Sequence, residues 1–267
     1  MKLLNYLALM LFAFSVNAQN VINQTYLQVP ANKIAEFVDL HEQVTNMSIG
    51  EGRTIARSWV YRHWYGSDHS IMISDIYASA EDFVKDDFWG VLNKNIEALP
   101  SKGWSTPSGQ ITKEEMQEVV QKWWGYWNNH TDEVRNVDWE NYWYGKEGLN
   151  LDNPYVFVVG SYNSSGSIRD MADAFMNGSI KPAVDNGVML YGGATSHYIG
   201  SGTDLQVWTA FQNINDFATN ASSGQSNSEE MSKFWALSEG AHADQIYVHV
   251  GNTRNAEGKF NRAGEDK

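Results

Sequence analysis

Cysteine is absent from all 267 residues. That removes zinc–thiolate centres, iron–sulfur clusters, cysteine nucleophiles and disulfide staples at once. A chain without staples must hold itself together by burial, and this one is long enough to do so as one large domain or two ordinary ones. Long apolar runs are missing too: nothing approaches the roughly 20 residues that span a bilayer. The short run Leu7 to Phe14 follows Lys2 and precedes Val16-Asn17-Ala18, the order of a secretory signal peptide. Residues 1–18 are therefore expected to be cleaved near Ala18, leaving a periplasmic or secreted protein. Basic residues are few, 19 Lys and Arg against 32 Asp and Glu, for a net charge of −13. An acidic surface without a basic stripe repels phosphate backbones and anionic headgroups, so neither nucleic acid nor membrane is an expected partner. Phosphate-cradling glycine loops and a G-x-S-x-G elbow are also lacking, and no pair of acids stands out for glycoside hydrolysis.

What is present is a repeat. "HWYGSDHSIMISDIYASAEDF" (63 to 83) aligns with "HYIGSGTDLQVWTAFQNINDF" (197 to 217), five of 21 positions being identical across a spacing of 134. Without a gap, Ile34, Phe37, Val38 and His41 are answered by Ile168, Met171, Ala172 and Phe175, each set lining one face of an amphipathic helix. Alternating segments on either side of Gly66-Ser67 and Gly200-Ser201 predict hairpins, and Asp82-Phe83 and Asp216-Phe217 open second helices. "KWWGYWNNHTDEV" (122 to 134) and "KFWALSEGAHADQI" (233 to 246) close each unit, the latter running on into a clear strand. Each half therefore reads as strand, helix, strand, strand, helix, strand.

Two βαββαβ units in tandem resemble the dimeric α/β-barrel superfamily of ferredoxin-like folds, to which the antibiotic-biosynthesis monooxygenases belong. The resemblance implies an α+β protein in which two four-stranded antiparallel sheets face each other with helices outside. One chain would form an intramolecular dimeric α/β-barrel, with ligand space between or beside the sheets. The expected organisation is a signal peptide over 1–18, a first unit over 19–137, a connector over 138–153, a second unit over 154–251 and a frayed polar tail over 252–267. The Pro-, Gly- and Ser-rich stretch "LPSKGWSTPSGQ" is expected to be a loop.

Strand alternation sorts the candidate site. Ile55, Arg57, Trp59, Tyr61 and His63 share one face, matched by Met189, Tyr191, Gly193, Thr195 and His197; the resemblance turns that face into the barrel. Thr54, Ala56, Ser58 and Val60, like Val188, Leu190, Gly192 and Ala194, would lie beneath helices. Arg57, Trp59, Tyr61, Tyr191 and His197 are the expected ligand-binding residues, with Gly193 and Thr195 making room and His63 exchanging a proton. Packed barrel filling and, for the two histidines, an inherited turn contact are the structural alternatives. The expected function is binding of a small apolar or aromatic molecule, extended to its cofactor-independent conversion. The alternative is a glycan- or protein-binding module presenting Trp139, Trp143 and Tyr144. His130/Asp132 and His242/Asp244 recur, but His-x-Asp alone is a poor metal signal. They are expected to end helices, and neither metal nor cofactor is expected. His41 is expected to be a packed core histidine. Whether the pseudo-dimer pairs again as a homodimer stays open.

Overall fold

The computed structural model describes residues 20–102, 109–223, 228–255 and 257–264. The signal-peptide segment and part of the Pro-Gly-Ser stretch lie outside the described residues. The first half runs β1 (Asn20–Leu27), α1 (Ile34–Met47), β2 (Arg57–Tyr65), β3 (Ile71–Tyr77), α2 (Ala80–Lys85), α3 (Phe88–Glu97), α4 (Lys113–Gly125) and β4 (His130–Val137). A short β5 (Trp143–Gly145) leads into the second half. This comprises β6 (Val156–Ser164), α5 (Ile168–Phe175), α6 (Lys181–Asp185), β7 (Tyr191–Ile199), β8 (Leu205–Phe211), α7 (Ile214–Ser222), α8 (Glu229–Leu237) and β9 (Ser238–Asn252). Finally β10 (Asn261–Arg262) pairs with the end of β9. The starts of α1 and α5, β2 and β7, and β3 and β8 are all 134 residues apart.

Every pairing is antiparallel. The order β9-β2-β3-β1-β4-β7-β8-β6 closes on itself through β6–β9, giving an eight-stranded barrel among the described residues. Each unit has its own order 2-3-1-4, and the fourth strand of each hydrogen-bonds the second strand of the other. The expected facing sheets are thus joined edge to edge, which leaves no open ladder between the halves. Helices coat the outside. Phe37, Val44, Leu92 and Trp123 pack on the outer face of the first sheet, and Met171, Met231 and Phe234 on the second. A separate aromatic core built from Tyr26, Tyr61, Tyr155, Phe157, Trp208 and Tyr247 fills the barrel.

The repeated Gly-Ser turns now have a cause. Gly66 and Gly200 have φ of 78° and 116°, a region that disfavours a side chain. Each turn also lies on the other half's last strand: a Cβ would stand 2.3 Å from the Asp244 carbonyl oxygen at Gly66 and 3.1 Å from that of Asp132 at Gly200. Two expectations change. His130/Asp132 and His242/Asp244 do not end helices; they lie within β4 and β9, as i, i+2 pairs on strands. Nor is the described tail frayed. Phe260 is 3% exposed in the first core, its N–H donates to Asn46 Oδ1 at 2.7 Å, and Arg262 meets Asp39 and Glu42 on α1.

Candidate active site inside the barrel

From Tyr191 onward the predicted inner face holds. Before it, the alternation breaks: Met189 packs outside against α6 and Leu190 against the barrel core. Arg57, Trp59, Tyr61 and Tyr191 come together on a cavity of about 480 Å³ within the barrel, well within the range of small-molecule sites. Trp208 and Phe157 complete its floor, and Trp139, Trp143 and Arg254 stand at its mouth. Trp139 and Trp143 therefore line this cavity, whereas Tyr144 turns away to Asp185 Oδ1 at 2.8 Å.

The cavity is lopsided because of one exchange of sizes. Trp59 pairs across the ladder with Ser74, and the equivalent pair is Gly193 with Trp208. The expected room at Gly193 is occupied: a Cβ there would meet Trp208 at 2.3 Å and the Tyr142 carbonyl oxygen at 2.4 Å. Thr195 is taken as well, since its Oγ1 accepts from Arg135 Nε at 2.8 Å. Arg135, with no exposed surface, also donates to Glu133 and to the carbonyl oxygens of Thr195 and Thr203. With Gln206, Tyr26 and Gln24 linked at 3.2 and 3.0 Å, it plugs the barrel towards the hairpin turns.

His63 and His197 lie at that plugged end, not in the cavity. His63 is six residues beyond Arg57 on β2, about 20 Å along a strand. Its Nε2 accepts from Ser67 N–H at 3.2 Å, and His197 Nε2 sits 3.1 Å from the Gly200 carbonyl oxygen. Each histidine thus bonds its own hairpin turn, the inherited contact.

Three phenols meet at the cavity floor. Tyr191 donates to Tyr155 at 2.7 Å, and Tyr61 and Tyr155 are 3.2 Å apart. Tyr155 was missed in the sequence because it precedes β6 and has no phenol at the matching place in the first half. Its ring stacks on buried His249 at 4.5 Å. Burial pushes all three phenols above their ordinary pKa, so they carry their protons at neutral pH. The three hydroxyls thus form one buried hydrogen-bonded cluster, of which Tyr61 and Tyr191 line the cavity.

The charge pattern is as selective. Arg57 and Arg254 are exposed at the rim, and among the described residues no Asp or Glu lines the cavity. Neither arginine forms an ion pair with a described carboxylate. In a chain of net charge −13, this is a local positive site. Among the described residues, no group of three or more His, Asp or Glu side chains is placed to hold a metal ion, and no helix is long and apolar enough to cross a membrane.

Solved structures of similar shape decide the fold. A protein provisionally named a monooxygenase from Lactobacillus acidophilus NCFM superposes with a TM-score of 0.55 at 8% identity, covering 92% of this chain and 97% of that one. An anthrone oxidase-like protein matches at 0.53 and 8%, with 94% and 95% covered. A second provisionally named monooxygenase, from Fusobacterium nucleatum subsp. nucleatum, matches at 0.52 and 10%, with 87% and 94% covered. This chain has the dimeric α/β-barrel fold. No family model and no curated protein sequence matches it.

Buried histidines set an acid limit on this fold. Desolvation lowers both His41 and His249 to about 4, so the unfolded chain, protonating near 6.5, gains stability first as pH falls. Their contribution is complete above pH 6.5 and is lost as pH drops towards 4. Asp75 works oppositely: burial raises it to about 6, so its cost appears as pH rises from 3.8 through 6. Two histidines outweigh one carboxyl, for a net loss on the order of 3 kcal/mol between pH 6.5 and 4. Urea unfolding at pH 7.0, 5.5 and 4.5 measures this, and His41→Phe, the residue of the second copy, should flatten the curve.

Proposed function

We propose that the barrel cavity binds a planar aromatic molecule carrying an anionic or carbonyl oxygen. The observation that carries this reading is the lining itself: aromatic walls, two arginines at the rim without an ion pair, and no acid among the described residues. Rings of Trp59, Tyr61, Phe157 and Trp208 offer flat apolar faces for stacking. Arg57 and Arg254 hold the oxygen, and the Tyr61 and Tyr191 hydroxyls on the cavity lining are further polar groups within the site. Neutral phenols beside a stacked ketone can stabilise charge developing on its oxygen, and cofactor-independent conversion of such a ligand would take its proton acceptor from solvent, since no described carboxylate or histidine lines the cavity. A planar ketone such as an anthrone, the class in one neighbour's name, suits this cavity. Export is part of the proposal, supported by Lys2, the apolar run and Val16-Asn17-Ala18.

The test is a titration of the protein with 2-naphthoate, followed by tryptophan fluorescence. Saturable one-to-one quenching is expected, with 2-naphthylmethanol binding more weakly and 2-naphthylamine least. Absence of saturation, or a preference for the amine, would sink the proposal. The glycan-module alternative gains no specific support, because Trp139 and Trp143 line the cavity mouth.

A further inference from the structure

A second cavity, of about 430 Å³, lies on the opposite side of the first sheet, between its outer face and α1, α3 and α4. Ordinarily such a layer is sealed by apolar contacts. Here the sheet presents a polar stripe instead: Asn23, Thr25, Ser58, Asp75 and Asp132. The facing wall is aromatic, formed by Trp89, Trp123, Trp124 and Trp127, with neighbouring ring centroids 4.9–6.3 Å apart. The second copy shows that the fold does not require this stripe. The cross-strand pair Asn23–Asp75 is answered by Val158–Thr209 in the same register, and Thr25–Asp132 by Gly160–Asp244. Ser58 is answered by Gly192 and His41 by Phe175. In that half Tyr162 covers the glycine and hydrogen-bonds Asp244 at 3.4 Å, and a continuous apolar core replaces the polar cavity.

Charge selects the ligand. Asp75, Asp86 and Asp132 line the cavity, and the one arginine among its lining residues, Arg53, is committed to Asp86 at 2.9 Å and to Ser48 at 2.6 Å. Asp132 accepts from Thr25 at 2.6 Å and lies 3.1 Å from His130. Asp75 has no ion-pair partner within contact distance among the described residues, and burial, with Asp86 and Asp132 nearby, raises its pKa against the opposing effects of the Ser58 hydrogen bond and of Arg53. Wall residues His41, Trp127 and Asn23 each keep a buried polar atom with no protein partner, unlike an ordinary packing void, whose lining is apolar. We propose that this cavity is a binding site for a small organic ammonium ion, caged by the indoles and neutralised by Asp75 and Asp132. Indole faces attract such cations electrostatically, most strongly where water is excluded.

Calorimetric titration with benzyltrimethylammonium chloride tests this, with the uncharged isostere neopentylbenzene as the control. Saturable binding of the cation, at least tenfold tighter than that of the isostere, is expected, weakened at least tenfold by Asp75→Asn. Trp124→Ala, at a side chain 47% exposed on the rim, should weaken it similarly, and this guards against a folding defect in the first variant. Arg57→Ala, in the barrel, should leave it unchanged. No saturable heat, equal binding of the uncharged isostere, or undiminished affinity in both cavity variants overturns the proposal.

Discussion

Arg57→Ala is expected to weaken 2-naphthoate binding about tenfold, and Arg57→Ala with Arg254→Ala about a hundredfold. Each arginine sits at the rim of an aromatic cavity without a competing carboxylate, so its charge-assisted hydrogen bonds fall to the ligand. Exposure at the rim limits each to about 1.4 kcal/mol, which is a factor of ten, and makes the effect shrink with salt. Folding should suffer little, since both side chains are exposed and Arg254 gives up only a surface hydrogen bond of 3.4 Å to the Leu149 carbonyl oxygen. The checks are the naphthoate titration at low and high NaCl and a thermal melt. 2-Naphthylmethanol should bind both variants as it binds the parent. Unchanged naphthoate affinity in the double variant would remove the anionic oxygen from the proposal while leaving the aromatic cavity in place.

Arg135→Met should produce the largest loss of stability, about 3–5 kcal/mol. The guanidinium is wholly buried and donates to Glu133, Thr195 and the Thr203 carbonyl oxygen. Removing it strands the Glu133 carboxylate, 11% exposed at its side chain, and leaves several acceptors without donors. For a chain of this length each kcal/mol lowers the melting temperature by about 2–4 °C, so a drop of at least about 6 °C is expected. Arg135→Met with Glu133→Leu should recover much of it, because replacing both members of a buried pair removes the stranded charge. A single variant that melts within 2 °C of the parent would show that the barrel plug is not held by this pair. The cavity lies at the other end of the barrel, so naphthoate affinity at temperatures below the melt should persist.

The two copies also show how much of this was legible in the residues. A spacing of 134 recurs in helix starts, strands and turns, because duplicated packing keeps the same periodicity in both halves. Alternation grouped Arg57, Trp59 and Tyr61 on one face of β2, since side chains of a strand must leave on alternate sides, and the resemblance to dimeric α/β-barrels turned that face inward. Together they placed Arg57, Trp59, Tyr61 and Tyr191 on one site without any coordinates. They could not place His63, because alternation sets which side a residue faces and says nothing of depth along the barrel. The room at Gly193 was likewise not decidable: the side chain that fills it, Trp208, comes from another strand.

By itself the sequence determined the repeat, the element order and which residues share a strand face, all of which depend on short-range periodicity. Only the tertiary structure decided that the sheets join edge to edge, that three phenols separated by up to 130 positions form one hydrogen-bonded cluster, and that one end of the barrel is plugged by Arg135. It alone also showed that the polar stripe under α1 stays uncovered while its apolar twin is sealed. These are matters of which surfaces meet and how well their volumes match, and they are fixed by contacts between residues that are far apart in the chain.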